Sequence, residues 1–236
     1  MSGISIGDTT KIADIGFYIN LDRRTDRNEK ILSNLREFSI NGVIRHKANE
    51  DTGTPQVNLL RSTFEVYKKF LNSSAETLLV LEDDCKFLEP LFKDRVQIFQ
   101  DIHSTDWDLF WLGCVNRRQP IYYKNNCYQT SSTSYAQSYL IKKELCKTLI
   151  EKFDNTYSTH YPDELLCLFM YGEQMAKNPE NFYKEDQPLN KFPTVFKSLC
   201  YKYSFSTQYN SYSDLTRVET NLENWICGHH PEKYNT

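Results

Sequence analysis

Three consecutive carboxylates are the residues of this sequence most able to do chemistry. Glu82, Asp83 and Asp84 directly follow Leu78 to Leu81, an apolar run that is typical of a buried strand. Adjacent like charges repel, so a positive partner is expected, and ligation by oxygen alone suits Mg²⁺ or Mn²⁺. Alternate residues of a strand share a face, so Glu82 and Asp84 should point together while Asp83 points away. We predict that Asp84 binds the metal and Glu82 lies near a ribose or an arginine; the alternative is an acidic loop that caps the next helix or faces water.

A second cluster follows the first apolar run of the chain. Arg23, Arg24 and Arg27 place three guanidinium groups within five residues, beside Asp22 and Asp26. A guanidinium group offers a planar fork of donors that matches phosphate, and the start of a helix adds a partial positive charge. A nucleotide diphosphate or a base could bind here. The alternative is a solvated turn in which the two aspartates pair with the neighbouring arginines.

Further candidate site residues lie in the second half of the chain. Asp163 and Glu164 lie at a predicted helix start, where acids are also favoured simply by the helix dipole. If that turn faces the same edge of the sheet, one of the two could act as a general base toward an attacking hydroxyl. His229 and His230 are candidate imidazole ligands in a terminal segment, and Asp214 lies in a polar tract that reads as a loop.

Strands and helices alternate along the sequence, and their order determines which candidates can meet. Apolar, β-prone runs predict strands at residues 15–21, 43–45, 78–81, 107–112 and 135–141. Helical spacing predicts helices after a cap at Thr25 and at residues 59–71, 91–102, 143–153 and 162–171. This alternation predicts an α/β fold with a mostly parallel twisted sheet flanked by helices. Because such sheets bind ligands at the carboxyl ends of their strands, residues 20–23 and 82–84 should meet at one edge.

Length and composition exclude several classes of protein. The 236 residues are 39% hydrophobic and 25% charged with a net charge of −3, which fits a single globular domain and gives no general attraction to nucleic acid. No run approaches the length of a transmembrane helix, and charges at Asp8, Lys11 and Asp14 interrupt any signal peptide, so a cytoplasmic protein is expected. The seven cysteines form no Cys-x-x-Cys pair and are expected to be reduced and mostly buried. Neither a Walker motif nor a G-x-G-x-x-G motif occurs, which excludes Walker-type NTPases and dinucleotide dehydrogenases.

Five segments in order resemble glycosyltransferase family 25, the group that includes lipooligosaccharide sugar transferases and procollagen galactosyltransferases. The matching segments are Phe17 to Arg27, Leu79 to Asp84, Tyr135 to Ile141, Tyr161 to Leu165 and Thr207 to Asp214. In that order, they are similar to the family's opening strand and arginine turn, its acidic metal motif, the strand before its next helix, its Pro-x-Asp-Glu turn and its late Ser-Asp motif. One position departs from the family pattern. Where the family usually has Ser-His before the acidic strand, this chain has Ser62 and Thr63.

The resemblance implies a GT-A-like nucleotide-sugar-binding fold in one domain over residues 1–236, with residues 11–112 binding the nucleotide sugar and 113–236 forming the acceptor side and tail. The expected reaction moves a hexose, galactose or glucose, from a UDP-sugar to a hydroxyl of a glycan or protein acceptor, with inversion and with Mn²⁺ or Mg²⁺ as cofactor. The residues expected to bind the donor are Asn20, Asp22, Arg23, Arg24, Arg27, Glu82, Asp83 and Asp214. The expected metal ligands are Asp84, His229 and His230, and the expected catalytic residues are Asp163 first and Glu164 second.

Two other functions remain open from the sequence. The missing histidine motivates a degenerate family member that binds ligands without turnover. The acidic strand end would also suit a metal-dependent phosphoryl or nucleotidyl transferase, which should release pyrophosphate from a nucleoside triphosphate.

Overall fold

The structure is a computed structural model that describes residues 11–50, 53–116, 120–130, 133–153, 162–171, 196–209, 211–212 and 219–220. Its helices are α1 Thr25–Glu37, α2 Pro55–Leu71, α3 Glu89–His103, α4 Lys143–Phe153 and α5 Pro162–Tyr171. Its strands are β1 Ile15–Asn20, β2 Val43–Lys47, β3 Thr77–Glu82, β4 Cys85–Phe87, β5 Leu109–Asn116, β6 Ile121–Lys124, β7 Cys127–Gln129, β8 Thr133–Lys142, β9 Ser198–Tyr201, β10 Ser206–Gln208, β11 Ser211–Tyr212 and β12 Glu219–Thr220. Strands and helices alternate through the first part of the chain, as the sequence predicts.

Eight strands form one mixed sheet in the order β2, β1, β3, β8, β5, β9, β7, β6. The pairs β1 with β2, β1 with β3, and β5 with β9 are parallel, while β8 runs antiparallel to both β3 and β5. Strand β7 is antiparallel to both β9 and β6, so β1, β2, β3, β5, β6 and β9 run in one direction. The predicted α/β class with a mostly parallel sheet is therefore confirmed, with β7 and β8 as the reversed strands.

Helices cover both faces of this sheet, which explains why β3 is apolar from Leu78 to Leu81. Leu78 and Val80 pack into a core with α2, α4 and α5, whereas Leu79 and Leu81 pack into a second core with α1 and α3. A strand buried on both faces loses the alternation of polar and apolar residues that marks a half-exposed strand. The strand therefore becomes polar only at Glu82, where it leaves the two cores.

The first helix begins differently from the sequence prediction. Thr25 is not its cap, because the Asn28 N–H donates to the Arg24 carbonyl at 3.1 Å and the helix therefore starts one residue earlier. The Arg24 N–H in turn donates to the Leu21 carbonyl at 2.9 Å. This tight turn connects the end of β1 directly to α1, so the arginines lie beside the carboxyl end of β1.

Two general expectations can be compared with the described part of the chain. Cysteines were expected to be reduced and buried, and the five that are described are free and buried, namely Cys85, Cys114, Cys127, Cys146 and Cys200. Within the described residues, no helix has the length and apolar character needed to cross a bilayer.

Candidate active site

The acidic residues and the arginine turn meet at one edge of the sheet, as predicted. Strand β3 ends at Glu82, and Asp83 and Asp84 form the turn before β4. Asn20, the buried last residue of β1, donates from Nδ2 to Asp83 Oδ2 at 2.8 Å and to the Arg24 carbonyl at 3.1 Å. The amide of Asn20 therefore ties the acidic turn to the arginine turn.

Arg27 is the positive partner that the adjacent carboxylates require. Its Nη1 lies 2.8 Å from Asp83 Oδ1 and 3.1 Å from Asp84 Oδ2, and all three side chains are buried. The prediction that Asp83 points away from Asp84 is therefore wrong. Strand alternation ends at Glu82 because residues 83 and 84 form a turn, and both of their carboxylates face the same guanidinium group.

Burial and the crowding of negative charge raise the pKa values of two carboxyl groups of this site. Burial, together with the charges of Asp84, Asp163 and Asp83, raises the pKa of Glu82 well above its ordinary value. Burial also raises the pKa of Asp84 to about 6, although the nearby charge of Arg27 acts in the opposite direction. Asp163, at the start of α5, is one of the charges that raise the pKa of Glu82; its role as a base stays a prediction.

The strand β10 crosses the acidic turn from a distant part of the chain. It pairs with β4 in antiparallel register, and the Tyr209 N–H donates to the Asp84 carbonyl at 2.8 Å. Gln208 Nε2 lies 3.4 Å from Glu82 Oε2. Sequence analysis missed Gln208 as a site residue, although it lies in the segment that resembles the late Ser-Asp motif.

A basic edge, defined here as Arg23, Arg24, Arg45 and Lys47, lies beside the acidic turn. Arg45 and Lys47 both reach Asp22, at 2.8 and 2.7 Å, and Arg45 Nε also donates to Asn20 Oδ1 at 2.8 Å. Arg24 also pairs with Asp26 at 2.9 Å, and Arg23 pairs with Glu50 at 2.7 Å. Asp26 therefore pairs with its neighbouring arginine, as the alternative interpretation of the turn expects.

Sequence analysis missed Arg45 and Lys47. Asp22 pairs with these two β2 side chains, and hydrogen bonds from Lys47 and then Arg45 lower its pKa. The sequence does hold a signal for them, because Arg45 and Lys47 are two residues apart and therefore share one face of β2. The four basic side chains of the basic edge thus pair with three carboxylates, those of Asp22, Asp26 and Glu50.

The position that departs from the family pattern has a structural role. Thr63 is buried in α2, and its hydroxyl donates to the Leu59 carbonyl at 2.9 Å. Beside it, Ser62 Oγ accepts from the Asn49 N–H at 2.8 Å, which fixes the chain just after β2. Both hydroxyls therefore hydrogen-bond to the backbone.

Some predicted site residues lie outside what the structure describes. Asp214, His229 and His230 are beyond the described ranges, as is the side chain of Glu164. Their predicted roles in donor binding, metal binding and catalysis stay predictions.

The donor atoms of the site fit a divalent cation that is shared with a phosphate. Within the described ranges, no group of three or more His, Cys, Asp or Glu side chains is arranged to hold an ion alone. Asp84 Oδ1, however, is buried and has no hydrogen-bond partner in that part of the chain. Mg²⁺ is commonly held by one or two carboxylates, with water and substrate phosphate completing its shell. Asp84, with Glu82 beside it, is such a partial ligand set.

Comparison with known proteins gives one similar curated sequence. It is Procollagen galactosyltransferase 1 of Danio rerio, 27% identical over 126 aligned residues that cover 41% of this chain and 21% of the relative. The chain thus spans about a fifth of that relative's length. No protein-family model matches the sequence.

Solved structures resemble the fold only distantly. One is a glycosyltransferase involved in the glycosylation of the major capsid of PBCV-1, with 10% identity, a TM-score of 0.44, and coverage of 79% of this chain and 91% of that chain. Another is the apo form of the glycosyltransferase GlyE of Streptococcus pneumoniae TIGR4, with 13% identity, a TM-score of 0.38, and coverage of 89% and 58%. Sequence identities and TM-scores this low assign no function to this chain.

Proposed function

We propose that this chain is a glycosyltransferase that moves a hexose, galactose or glucose, from a UDP-sugar to a hydroxyl group of a glycan or protein acceptor. The observation that carries the proposal is the meeting of the acidic turn, Glu82 to Asp84, with Asn20 and Arg27 beside the carboxyl ends of β1 and β3. The similarity to Procollagen galactosyltransferase 1 and the five ordered segments of family 25 type support a sugar as the transferred group. On this proposal the domain has a GT-A-like fold.

The basic edge is the proposed site of the nucleotide diphosphate. Its ion pairs are partly exposed, with 53% of the Arg23 side chain and 46% of the Asp22 side chain accessible to solvent. Exposed pairs of this kind contribute only about 0 to 1 kcal/mol each, so a diphosphate can replace a carboxylate partner at little cost. Arg23 and Arg24 would then bind phosphate oxygens, while Asn20 and Asp22 hold the turn in place.

Asp84 is the proposed protein ligand of Mn²⁺ or Mg²⁺, through its Oδ1 atom. When bound, the ion would neutralise the negative charge that grows on the departing diphosphate. Arg27 holds the opposite oxygen, Oδ2, and therefore orients the carboxylate. Glu82 and Asp83 complete the negative surface around this position.

Asp163 is the proposed general base. Its carboxylate would remove the proton of the acceptor hydroxyl as that oxygen attacks the anomeric carbon, with inversion at that carbon and the nucleotide diphosphate leaving on the opposite face. Asp163 is half-buried at the start of α5, and its charge is one of those that raise the pKa of Glu82. Glu164 is the second candidate for this role.

A thermal-shift screen of UDP-sugars with and without Mn²⁺ tests the proposed function. A ligand at ~100 times its dissociation constant stabilises the native state by about 2.7 kcal/mol, which for a chain of this size raises Tm by several degrees. We expect one UDP-hexose to give this shift with Mn²⁺ and to lose it when EDTA is added. Turnover of that donor is then followed by UDP release.

The same assays separate the other functions. Binding without UDP release or transfer would indicate a degenerate binding protein. Pyrophosphate release from a nucleoside triphosphate, with no response to any UDP-sugar, would indicate a nucleotidyl transferase and would contradict the proposal.

A further inference from the structure

A cleft opens at the amino end of β1, the opposite end of that strand from the acidic turn. This amino-end cleft, as it is called here, is enclosed by residues 11–16, residues 38–43, Leu79, Leu91, Arg95 and Phe99. Its volume is about 320 Å³, within the range of roughly 300 to 1,000 Å³ that is usual for small-molecule sites. Its lining includes exposed residues, Lys11, Asn41 and Gly42, so the cleft opens to solvent.

The backbone on two sides of the cleft is fixed by hydrogen bonds within the chain. On one side α1 ends with the long hydrogen bond of a Schellman motif, in which the Ile40 N–H donates to the Leu35 carbonyl at 2.9 Å. Ser39, between them, has the positive φ of 53° that this motif requires. On the other side, Nε2 of His103 donates to the Lys11 carbonyl at 2.8 Å. The cleft is therefore formed before any ligand binds.

The floor of the cleft is apolar. Five of the residues that line it are buried members of the core beneath α1 and α3, namely Ile12, Phe38, Leu79, Leu91 and Phe99. A ligand that reached this floor would gain free energy by removing apolar surface from water. The inner part of a matching ligand is therefore a hydrocarbon.

The mouth of the cleft favours a negative charge. Among the residues that line it in the described part of the chain, the charged ones are Lys11, Asp14 and Arg95. Asp14 Oδ2 already accepts hydrogen bonds from the Glu76 N–H at 3.0 Å and from the Thr77 N–H and hydroxyl, both at 2.9 Å. Lys11 and Arg95 are exposed, and neither has a carboxylate partner within the described ranges. Two cations are thus available to an anion.

We propose that the amino-end cleft binds a fatty acid, with its carboxylate at Lys11 and Arg95 and its acyl chain on the apolar floor. An arginine guanidinium group matches a carboxylate with two parallel hydrogen bonds, and a lysine adds a second positive charge. The cleft and the acidic turn lie at opposite ends of β1. The inference therefore goes beyond the proposed transferase function and does not depend on it.

Isothermal titration of the full-length protein with decanoate tests the proposal. Decanoate carries both the hydrocarbon chain and the charge, whereas acetate carries the charge alone and decanol the chain alone. An exposed ion pair contributes up to about a fivefold change in affinity. We expect decanoate to bind at one site, decanol to bind roughly 10-fold more weakly, and acetate to show no measurable binding.

Removing the two cations should weaken only the charged ligand. The double variant Lys11→Met, Arg95→Met should bind decanoate roughly 10-fold more weakly and decanol as tightly as the unmodified protein does. Both side chains are exposed, so the fold should be kept. The matched control is Lys93→Met, because Lys93 lies on the same helix as Arg95, pairs with Glu89 at 2.7 Å and is not part of the lining. This control should leave both affinities unchanged.

Four results would overturn the proposal. The first is that the unmodified protein fails to bind decanoate, and the second is that the double variant binds it with unchanged affinity. The third is displacement of decanoate by UDP with Mn²⁺, which would place the fatty acid at the nucleotide site instead. The fourth is tighter decanoate binding by the full-length variant Ile4→Ser, Ile6→Ser, which would assign the cleft to residues 1–10 of the chain itself.

Discussion

The Asp84→Asn variant should lose sugar transfer by roughly 10²-fold or more while remaining folded. Asparagine has the shape of aspartate but lacks the charge, so the buried Oδ1 position would no longer attract a cation. The fold should survive because Arg27 keeps its 2.8 Å contact with Asp83. The measurement is the initial rate of UDP release and acceptor glycosylation, with far-UV circular dichroism and Tm as checks of folding.

Asp106→Asn is the matched control for this substitution. Asp106 has 77% of its side chain exposed, pairs with Lys197 at 2.8 Å, and precedes β5, far from the carboxyl ends of β1 and β3. The same chemical change should therefore leave turnover unaltered. Full activity in Asp84→Asn would remove Asp84 from the mechanism, whatever the control shows.

Replacing Arg27 with methionine should destabilise the protein by about 3 to 5 kcal/mol, the usual cost of removing one partner of a buried ion pair. Methionine fills much of the space of the arginine stem but leaves Asp83 and Asp84 without their shared positive partner. Both carboxylates would stay buried, and each would repel the other. Urea denaturation followed by circular dichroism measures the change in the free energy of unfolding.

Two further variants show whether the loss comes from unpaired charge. Arg23→Met removes an exposed ion pair of the same turn and should cost no more than about 1 kcal/mol. The double variant Arg27→Met, Asp83→Asn removes one of the unpaired carboxylates and should be more stable than Arg27→Met alone. If Arg27→Met were no more harmful than Arg23→Met, the ion pairs of Arg27 would not hold the acidic turn in place.

The meeting of the two polar clusters could be predicted because it depends on strand ends alone. The continuous apolar run of β3 marks a strand buried on both faces, and its first polar residue marks where that strand leaves the core. The same reasoning applies to β1 and Asn20. Parallel strands that end together must bring their following residues to one edge, whatever the details of packing.

Contacts that depend on register could not be predicted. Arg45 reaches Asn20 and Asp22 because β2 pairs with β1 so that Lys47 lies opposite Asn20, and nothing local in the sequence determines that pairing. The reversal of β8 between β3 and β5 depends in the same way on which strands become neighbours.

The hairpin of β6 and β7 was missed for a different reason. Its strands are short, and its turn residues, Asn125 and Asn126, carry the signal instead. Both have positive φ, 49° and 58°, as a type I′ turn requires, and asparagine tolerates that conformation better than most residues. A search for Asn-Asn between two β-prone runs would have predicted this hairpin.

A crystal structure with UDP and Mn²⁺, recorded at the manganese absorption edge, tests most directly whether the acidic turn binds the donor through a cation. We predict an anomalous peak within coordination distance of Asp84 Oδ1, about 2.0 to 2.6 Å, with the diphosphate on the basic edge. A nucleotide bound elsewhere, with Asp84 still contacting only Arg27, would contradict this account.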